Sequence, residues 1–322
     1  MNNKAAIFIF TNDRINTLKE KLDSIQNLNY VKYIIDDSIT SQNQKSVMEL
    51  CNQFPICNYI GKVKFNEFIS QHQIEFPKHA FLLRELGSEA WNLGYSKNFT
   101  LLFSKSLGLE KVLFMNDDIK IPNLTLIEEL FQSIDKNQNT NAKMFGLVDD
   151  SVFGQIDTAL GIQNKRLLAN GLLVFDPQKS ENFFFNNYND DWIWFCLQSK
   201  DRNCLNRGEA FQKISGSLMD DNSKIIFQDF GEKMLDGILD LCKEGSYDSL
   251  VQFSFWEKII MERETYVELL LSKSIEQEQQ KYIEILTMIK SNAKYFTADV
   301  FTTIFRNYFH NRLEFSRLFN SI

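Results

Sequence analysis

Residues 111–118 read Lys-Val-Leu-Phe-Met-Asn-Asp-Asp, and no other stretch limits the fold more. Side chains alternate across a strand, so the four consecutive apolar residues Val112 to Met115 face both sides of whatever sheet they join. A strand that is apolar on both faces needs cover on both. That is the situation of a parallel or mixed sheet between helical layers. Similar short runs occur at Ala5–Phe10, Val31–Ile35, Met144–Val148 and Leu172–Phe175, with helical stretches such as Ile15–Ile25 among them. From residue 1 to about 230 this alternation predicts an α/β sheet.

Punctuation changes along the chain. All four prolines lie at or before Pro177, and no glycine follows Gly245. From about residue 250 the apolar spacing becomes helical, through Phe255, Ile259, Tyr266, Leu269 and Leu270, then Tyr282, Ile285, Leu286 and Ile289. The expected division is therefore an α/β domain over 1–232 and an all-helical extension over 233–322. With 322 residues, 44% of them hydrophobic, the chain has enough apolar side chain for one large core or two smaller ones. A net charge of -7 argues against nucleic acid as the partner. The first apolar run, Ala5 to Phe10, is too short for a signal-peptide core or a membrane span, so a cytoplasmic location is expected. The five cysteines lack the spacing of a zinc site, and the three histidines, His72, His79 and His310, form no metal pair in sequence.

In an open α/β sheet, ligands collect at the carboxyl ends of the strands. Asp117 and Asp118 lie at such an end. With Asn116 they form a hard-oxygen cluster suited to Mg²⁺ or Mn²⁺ together with substrate phosphates. A second acid pair, Asp36 and Asp37, ends the run "YVKYIIDDS", and the first strand runs into "TNDR". An acid after the second strand of such a unit accepts hydrogen bonds from a ribose or base edge, and Thr11 and Asn12 lie beside it to hold a nucleoside. Taken alone, each acid pair is also an ordinary turn, with Asp capping the next element. No GxGxxG follows Phe10, and no Walker loop occurs.

The segments "FTNDR" with its helix, "IIDDS", "GYSKNFTLLFSKSLGLEKVLFMNDDI", "ANGLLVF" and "NDDWIWF" occur in that order. Over roughly residues 5–232 they resemble the family 2-like glycosyltransferases of the GT-A fold. The resemblance implies a GT-A-like, Rossmann-like mixed sheet flanked by helices, a nucleotide-diphosphate sugar donor and a hydroxyl acceptor such as a carbohydrate. Asn116-Asp117-Asp118 looks like the family's DxD motif with Asn in its first position. That makes Asp118 the ligand of a divalent metal, Mn²⁺ or Mg²⁺, and places Asp117 nearer the sugar or ribose. Asp36, Thr11, Asn12 and Arg14 fall on the donor side. Lys97 stands where the family has an Arg and would meet phosphate as a point charge. "NDDWIWF" resembles the ED-W motif, so Asp191 is the expected base, Asp190 replaces the usual Glu, and Trp192 and Trp194 wall the sugar site. Asn170 and Gly171 line the sugar on the acceptor side. Gln228 stands where the family often has a metal-binding His.

The C-terminal stretch spaces Phe301, Phe305 and Phe309 four residues apart among Arg306, Arg312 and Arg317, a basic amphipathic helix. Docking on the parent domain or a second subunit is expected ahead of peripheral membrane contact, and a homodimer through the C-terminal helices is the corresponding partner. The expected activity is metal-assisted, inverting sugar transfer with Asp191 as base. A nucleotidyltransferase, or a binding protein whose metal site has decayed at Asn116 and Gln228, are the rival readings.

Overall fold

The computed structural model describes residues 4–72, 93–134, 140–145, 151–162, 171–198, 205–212, 222–242 and 247–321. Among the described residues eight strands form one sheet: β1 (Ala5–Thr11), β2 (Val31–Asp36), β3 (Cys57–Ile60), β4 (Lys111–Asn116), β5 (Ile119–Lys120), β6 (Thr140–Phe145), β7 (Leu172–Phe175) and β8 (Leu205–Gln212). Their order is β3-β2-β1-β4-β7-β6-β8-β5. β3, β2, β1 and β4 are parallel, and β7 runs antiparallel to β4. Of the expected strand Met144–Val148, Met144 and Phe145 fall in β6, which begins earlier, at Thr140, and residues 146–148 lie outside the described residues.

Helices α1 (Ile15–Ile25), α2 (Ser41–Cys51) and α5 (Thr125–Ile134) cover one face of the sheet. There Ile7, Ile9, Leu113 and Met115 pack with Leu18, Leu22, Val47 and Leu130. The other face is covered by α3 (Lys62–Gln71), α4 (Leu93–Ser106) and α7 (Asp190–Gln198), and α6 (Val152–Ala159) lies further out with the later helices. Phe8, Phe10, Val112 and Phe114 face that second layer. Alternate residues of β1 and β4 thus enter different cores, which is why the interior positions of both strands are apolar throughout.

The long helices α8 (Asn222–Cys242), α9 (Phe253–Glu276), α10 (Gln280–Asn292) and α11 (Ala298–Ser321) follow. α8 is continuous across positions 232 and 233. The aromatic stripe of α11 docks inward: Phe301 and Phe305 are fully buried, and Trp256 stacks on both, at 4.8 and 5.3 Å between ring centroids. Phe183 and Phe185 of the α/β part reach Tyr308 at 4.4 and 4.5 Å. Docking on the parent domain, one of the two expected sites, is thus where Phe301 and Phe305 lie. Among the described residues no helix is long and apolar enough to cross a membrane.

Phe305→Ala is expected to cost about 3–5 kcal/mol and to lower the midpoint of the whole unfolding transition in urea, followed by circular dichroism. Leu313→Ala, on the same helix but 63% exposed, should change it by less than about 0.5 kcal/mol. A Phe305→Ala transition that splits, leaving the sheet's midpoint unchanged, would show that the helices stand apart.

Candidate functional site

The strand order reverses at β1: β2 and β3 lie to one side, β4 to the other. A parallel sheet opens a crevice at such a point, above the carboxyl ends. Parallel register sets Phe10 opposite Asn116 and Thr11 opposite Asp36, so the three strand ends meet. The Asp117 N–H donates to the Phe10 carbonyl at 3.2 Å, and the Thr11 hydroxyl donates to Asp117 Oδ2 at 2.7 Å. On the far side the Asn116 N–H donates to the Gly171 carbonyl at 3.2 Å. Gly171 therefore lies against the acid turn; Asn170 lies outside the described residues.

Both acids of this turn are buried, Asp117 at 2% and Asp118 at 7% exposure. Arg14 bridges them. Its Nη2 is 2.6 Å from Asp117 Oδ1, and its Nη1 donates to Asp118 Oδ2 at 3.0 Å. Gln212 Nε2 also donates to Asp118 Oδ2, at 3.3 Å. Burial pushes the Asp117 carboxyl up to about 6, against the pull of Arg14 and the Thr11 hydrogen bond. Lys21, on α1, lies behind the same acids. Burial lowers its ammonium to about 8, while Asp118 and Asp117 act to raise it. A cavity of about 480 Å³ opens here, lined by Lys21, Ser24, Asp117, Asp118, Lys120 and Phe211.

Asp36 braces the neighbouring rim. One of its oxygens accepts from the Ser38 N–H and hydroxyl, and the other accepts from the Tyr59 hydroxyl at 2.9 Å. Asp36 and Asp37 line a cavity of about 270 Å³ with Gly61, Phe65 and Tyr95. The loop containing Asn12 is tied to this rim through Asp13, a residue with no role in the sequence reading. Asp13 adopts φ 53°, donates its N–H to Ser38 Oγ at 3.0 Å and accepts from Asn43 Nδ2 at 2.7 Å.

Asp190 and Asp191 open α7. Asp190 is buried and pairs with Lys97 of α4 at 2.7 Å. Burial raises its carboxyl, and the Lys97 ammonium opposes the rise. The charge of Lys97 is thus committed to Asp190. Asp191 is half-buried and its Oδ1 accepts from the Trp192 N–H at 2.9 Å. Trp192 is half-buried too, but Trp194 is fully buried and stacked on Phe184 at 4.8 Å. Trp194 is a core residue, not a wall of a sugar site, because its position on α7 turns it toward the sheet.

Three residues that sequence reasoning left without a role in this turn hold it in place. Asn98 pins Phe184, accepting from its N–H at 2.6 Å and donating to its carbonyl at 2.8 Å. A Cβ at Gly94 would come within 2.1 Å of the Phe185 carbonyl oxygen, and one at Gly231 within 2.2 Å of that of Tyr188. Only glycine admits such close backbone contact. Gln228 is buried and engaged within the chain. Its Oε1 accepts from the Val152 N–H at 3.0 Å, at the start of α6.

Two carboxylate oxygens of the acid turn, Asp117 Oδ1 and Asp118 Oδ1, lack a hydrogen bond, and Arg14 lies 2.6 Å from the first. Asp118 Oδ1 is buried without a hydrogen bond, as suits a carboxylate that takes a hard cation. No group of three or more His, Cys, Asp or Glu that could hold a metal occurs among the described residues. The residues fit an ion that takes most of its oxygens from a ligand and from water.

The backbone as a whole resembles a solved mannosyltransferase from Pyrobaculum calidifontis, determined in complex with GDP-Man and Mn²⁺. The match has a TM-score of 0.50 and 12% identity, and covers 96% of this chain and 87% of that one. That likeness shows the fold. The bifunctional glycosyltransferase WbbM also matches, at a TM-score of 0.32 and 14% identity, over 62% of this chain and 34% of that one. No family model and no curated protein sequence matches the chain.

Two stability effects are expected. Lys97→Met strands Asp190 in the core and should cost about 3–5 kcal/mol at pH 7, most of it recovered by adding Asp190→Asn; urea denaturation of the single and double variants checks this. Asp117 gives a pH signature. Its folded value, about 6, lies above the ordinary 3.8, so its contribution is fully present below about pH 4 and is lost as pH rises through about 6. The loss is about 3 kcal/mol. The stability difference between the ion-free wild type and Asp117→Asn should change by that amount from pH 4 to 7, and a constant difference would refute the assignment.

Proposed function

We propose that the chain is a glycosyltransferase of the GT-A type that moves a sugar from a nucleotide-diphosphate donor to an acceptor hydroxyl. The observation that carries this reading is the meeting of Thr11, Asp36, Asp117 and Asp118 at the strand-order reversal, beside a cavity sized for a nucleoside. The likeness of the backbone to a mannosyltransferase supports it. The catalytic unit is assigned to residues 1–232, and residues 233–322 form its helical extension.

The nucleoside lies in the cavity between Asp36–Asp37 and Tyr95, with the Thr11–Asn12 loop at its edge. Asp36 Oδ2, which accepts from Tyr59, keeps a lone pair beyond that hydrogen bond, enough to accept from a ribose or base edge. Asp118 would hold the divalent ion through its open oxygen, and Asp117, fixed by the Thr11 hydroxyl, lies beside it in the same turn. An ion of the Mn²⁺ or Mg²⁺ class, when bound, neutralises charge on the departing diphosphate. Asp191 takes the proton of the acceptor hydroxyl as that oxygen attacks the anomeric carbon. The bond from that carbon to the diphosphate breaks with its electron pair going to phosphate, which inverts the centre. Trp192 and Gly171 flank the sugar. The buried Lys97–Asp190 pair fixes the turn that presents Asp191. Any homodimer would use the outward faces of α9 to α11, where Met261 and Leu269 are exposed.

The test pairs binding with turnover. UDP, GDP and dTDP, and their sugar conjugates, are screened by thermal shift with and without Mn²⁺, and release of the nucleoside diphosphate is followed. One nucleotide is expected to raise the melting temperature in an ion-dependent way. Asp191→Asn should keep that shift while losing about 10²–10⁴-fold in turnover. Full activity in Asp191→Asn would remove it as the base. No shift and no turnover with any sugar nucleotide would overturn the transferase reading.

A further inference from the structure

The acid pair that is read as the ion's site already holds a cation. Two different nitrogens of Arg14 reach two different carboxylates, at 2.6 Å on Asp117 and 3.0 Å on Asp118. A guanidinium presents its N–H groups as a planar fork, so spanning two acids satisfies it in a way one ammonium cannot. Lys21, only 4% exposed, adds a second positive charge behind the same turn. Arg14 and Lys21 together balance Asp117 and Asp118, so the cluster is neutral within the chain. A divalent ion is drawn to a doubly negative pair in a partly desolvated site, but not to a pair whose charge is already cancelled at close range.

The way Arg14 is held makes it removable. It is the residue before α1, with φ -120° and ψ 52°, and its side chain makes no cap to the helix. Its carbonyl accepts from the Leu18 N–H at 2.9 Å, so the backbone is anchored independently of the side chain. The side chain is 34% exposed, whereas Asp117's is fully buried. The guanidinium therefore lies at the mouth of the site with the acids beneath it. An arginine that leaves two carboxylates needs another planar arrangement of anionic oxygens, and a diphosphate supplies one.

We propose that Arg14 is a resident counter-cation that blocks Asp117 and Asp118 to divalent ions until a diphosphate takes over its guanidinium. Uptake of ion and diphosphate is then mutually dependent: each is bound weakly alone and tightly with the other, by the reciprocity of linked equilibria. This rests on the reading of Asp118 as the ion's ligand, and it adds to that reading an order imposed by one side chain.

The test measures Mn²⁺ bound to the full-length chain by electron paramagnetic resonance, with no nucleotide present. Arg14→Gln should bind Mn²⁺ at least about tenfold more tightly than the wild type, and Asp118→Asn should abolish that gain. With inorganic pyrophosphate present, Mn²⁺ affinity of the wild type should rise at least about tenfold, and the rise should shrink in Arg14→Gln. Equal or weaker Mn²⁺ binding by folded Arg14→Gln overturns the proposal. If Arg14→Gln does not fold, the wild type decides alone, because a chain that binds Mn²⁺ equally well with and without pyrophosphate has no such block. The ion measurement needs no sugar nucleotide. Failure here in a chain that turns over a donor removes the role of Arg14 only, whereas an intact Arg14 effect in a chain that turns over none removes the transferase reading only.

Discussion

The parallel pairing of β1 with β4 is the interaction on which the rest of the rim depends. It sets Phe10 opposite Asn116, and the next backbone hydrogen bond, from Asp117 to the Phe10 carbonyl, continues the ladder one step past the strand. Asp117 is thereby held at fixed height against Thr11. A slip of one residue would move Val112 and Phe114 into the wrong core layer, since side chains alternate faces. Two apolar layers thus specify where two carboxylates stand. The acids occupy a site that core packing has dehydrated, and their charge must be met within a few ångströms. Arg14 and Lys21 meet it.

That balance explains why the site is poised instead of merely stable. Buried charge that is matched inside the chain costs less than buried charge left alone, but it still costs. Asp117 shows this in a carboxyl pushed up to about 6 despite an arginine at 2.6 Å. A ligand that brings its own charges to the turn relieves part of that cost, so some of the stability forgone on folding returns on binding. Perturbed carboxylates beside cavities at a strand-order reversal are what such a design leaves in the apo chain.

The legible parts of the fold were those where burial is two-sided. β1, β4 and β7 are continuous apolar runs, and they form as the pattern requires. β3 alternates and lies at the sheet edge, β5 has two residues, and β8, Leu-Asn-Arg-Gly-Glu-Ala-Phe-Gln, is largely polar. These three exist because neighbours offer them hydrogen bonds, which no local pattern records. At the site, the acids were visible because Asp after an apolar strand is conspicuous. The partners of the basic residues were not visible. Lys97 and Asp190 are 93 positions apart, and Arg14 and Asp118 are 104 apart, so only the folded chain shows that Lys97 faces a carboxylate. Trp194 fills the core, and a tryptophan beside an acidic turn has the same spelling whether it lines a cavity or fills a core.

The helical C-terminal third is bound to the site more closely than its composition suggests. The segment from Phe183 to Asn189 leads directly into Asp190 and Asp191. On one side Asn98 pins Phe184 and Gly94 lets α4 touch the backbone. On the other, Gly231 admits Tyr188 against α8, and Tyr308 and Phe305 of α11 pack on Phe183 and Phe185. α8 is in turn clamped to α9, because buried Arg263 reaches Glu232 and, at 3.3 Å, Asp236. The turn carrying Asp191 is thus held between an α/β helix and three C-terminal ones. Its position is a joint property of both parts, since a shift of α11 along its axis would move Phe183 and Phe185 and, through the short run of chain after them, the carboxylate at the head of α7. An acid whose task depends on placement within an ångström gains from being held on two sides, which gives the helical third a physical reason to share the sheet's core.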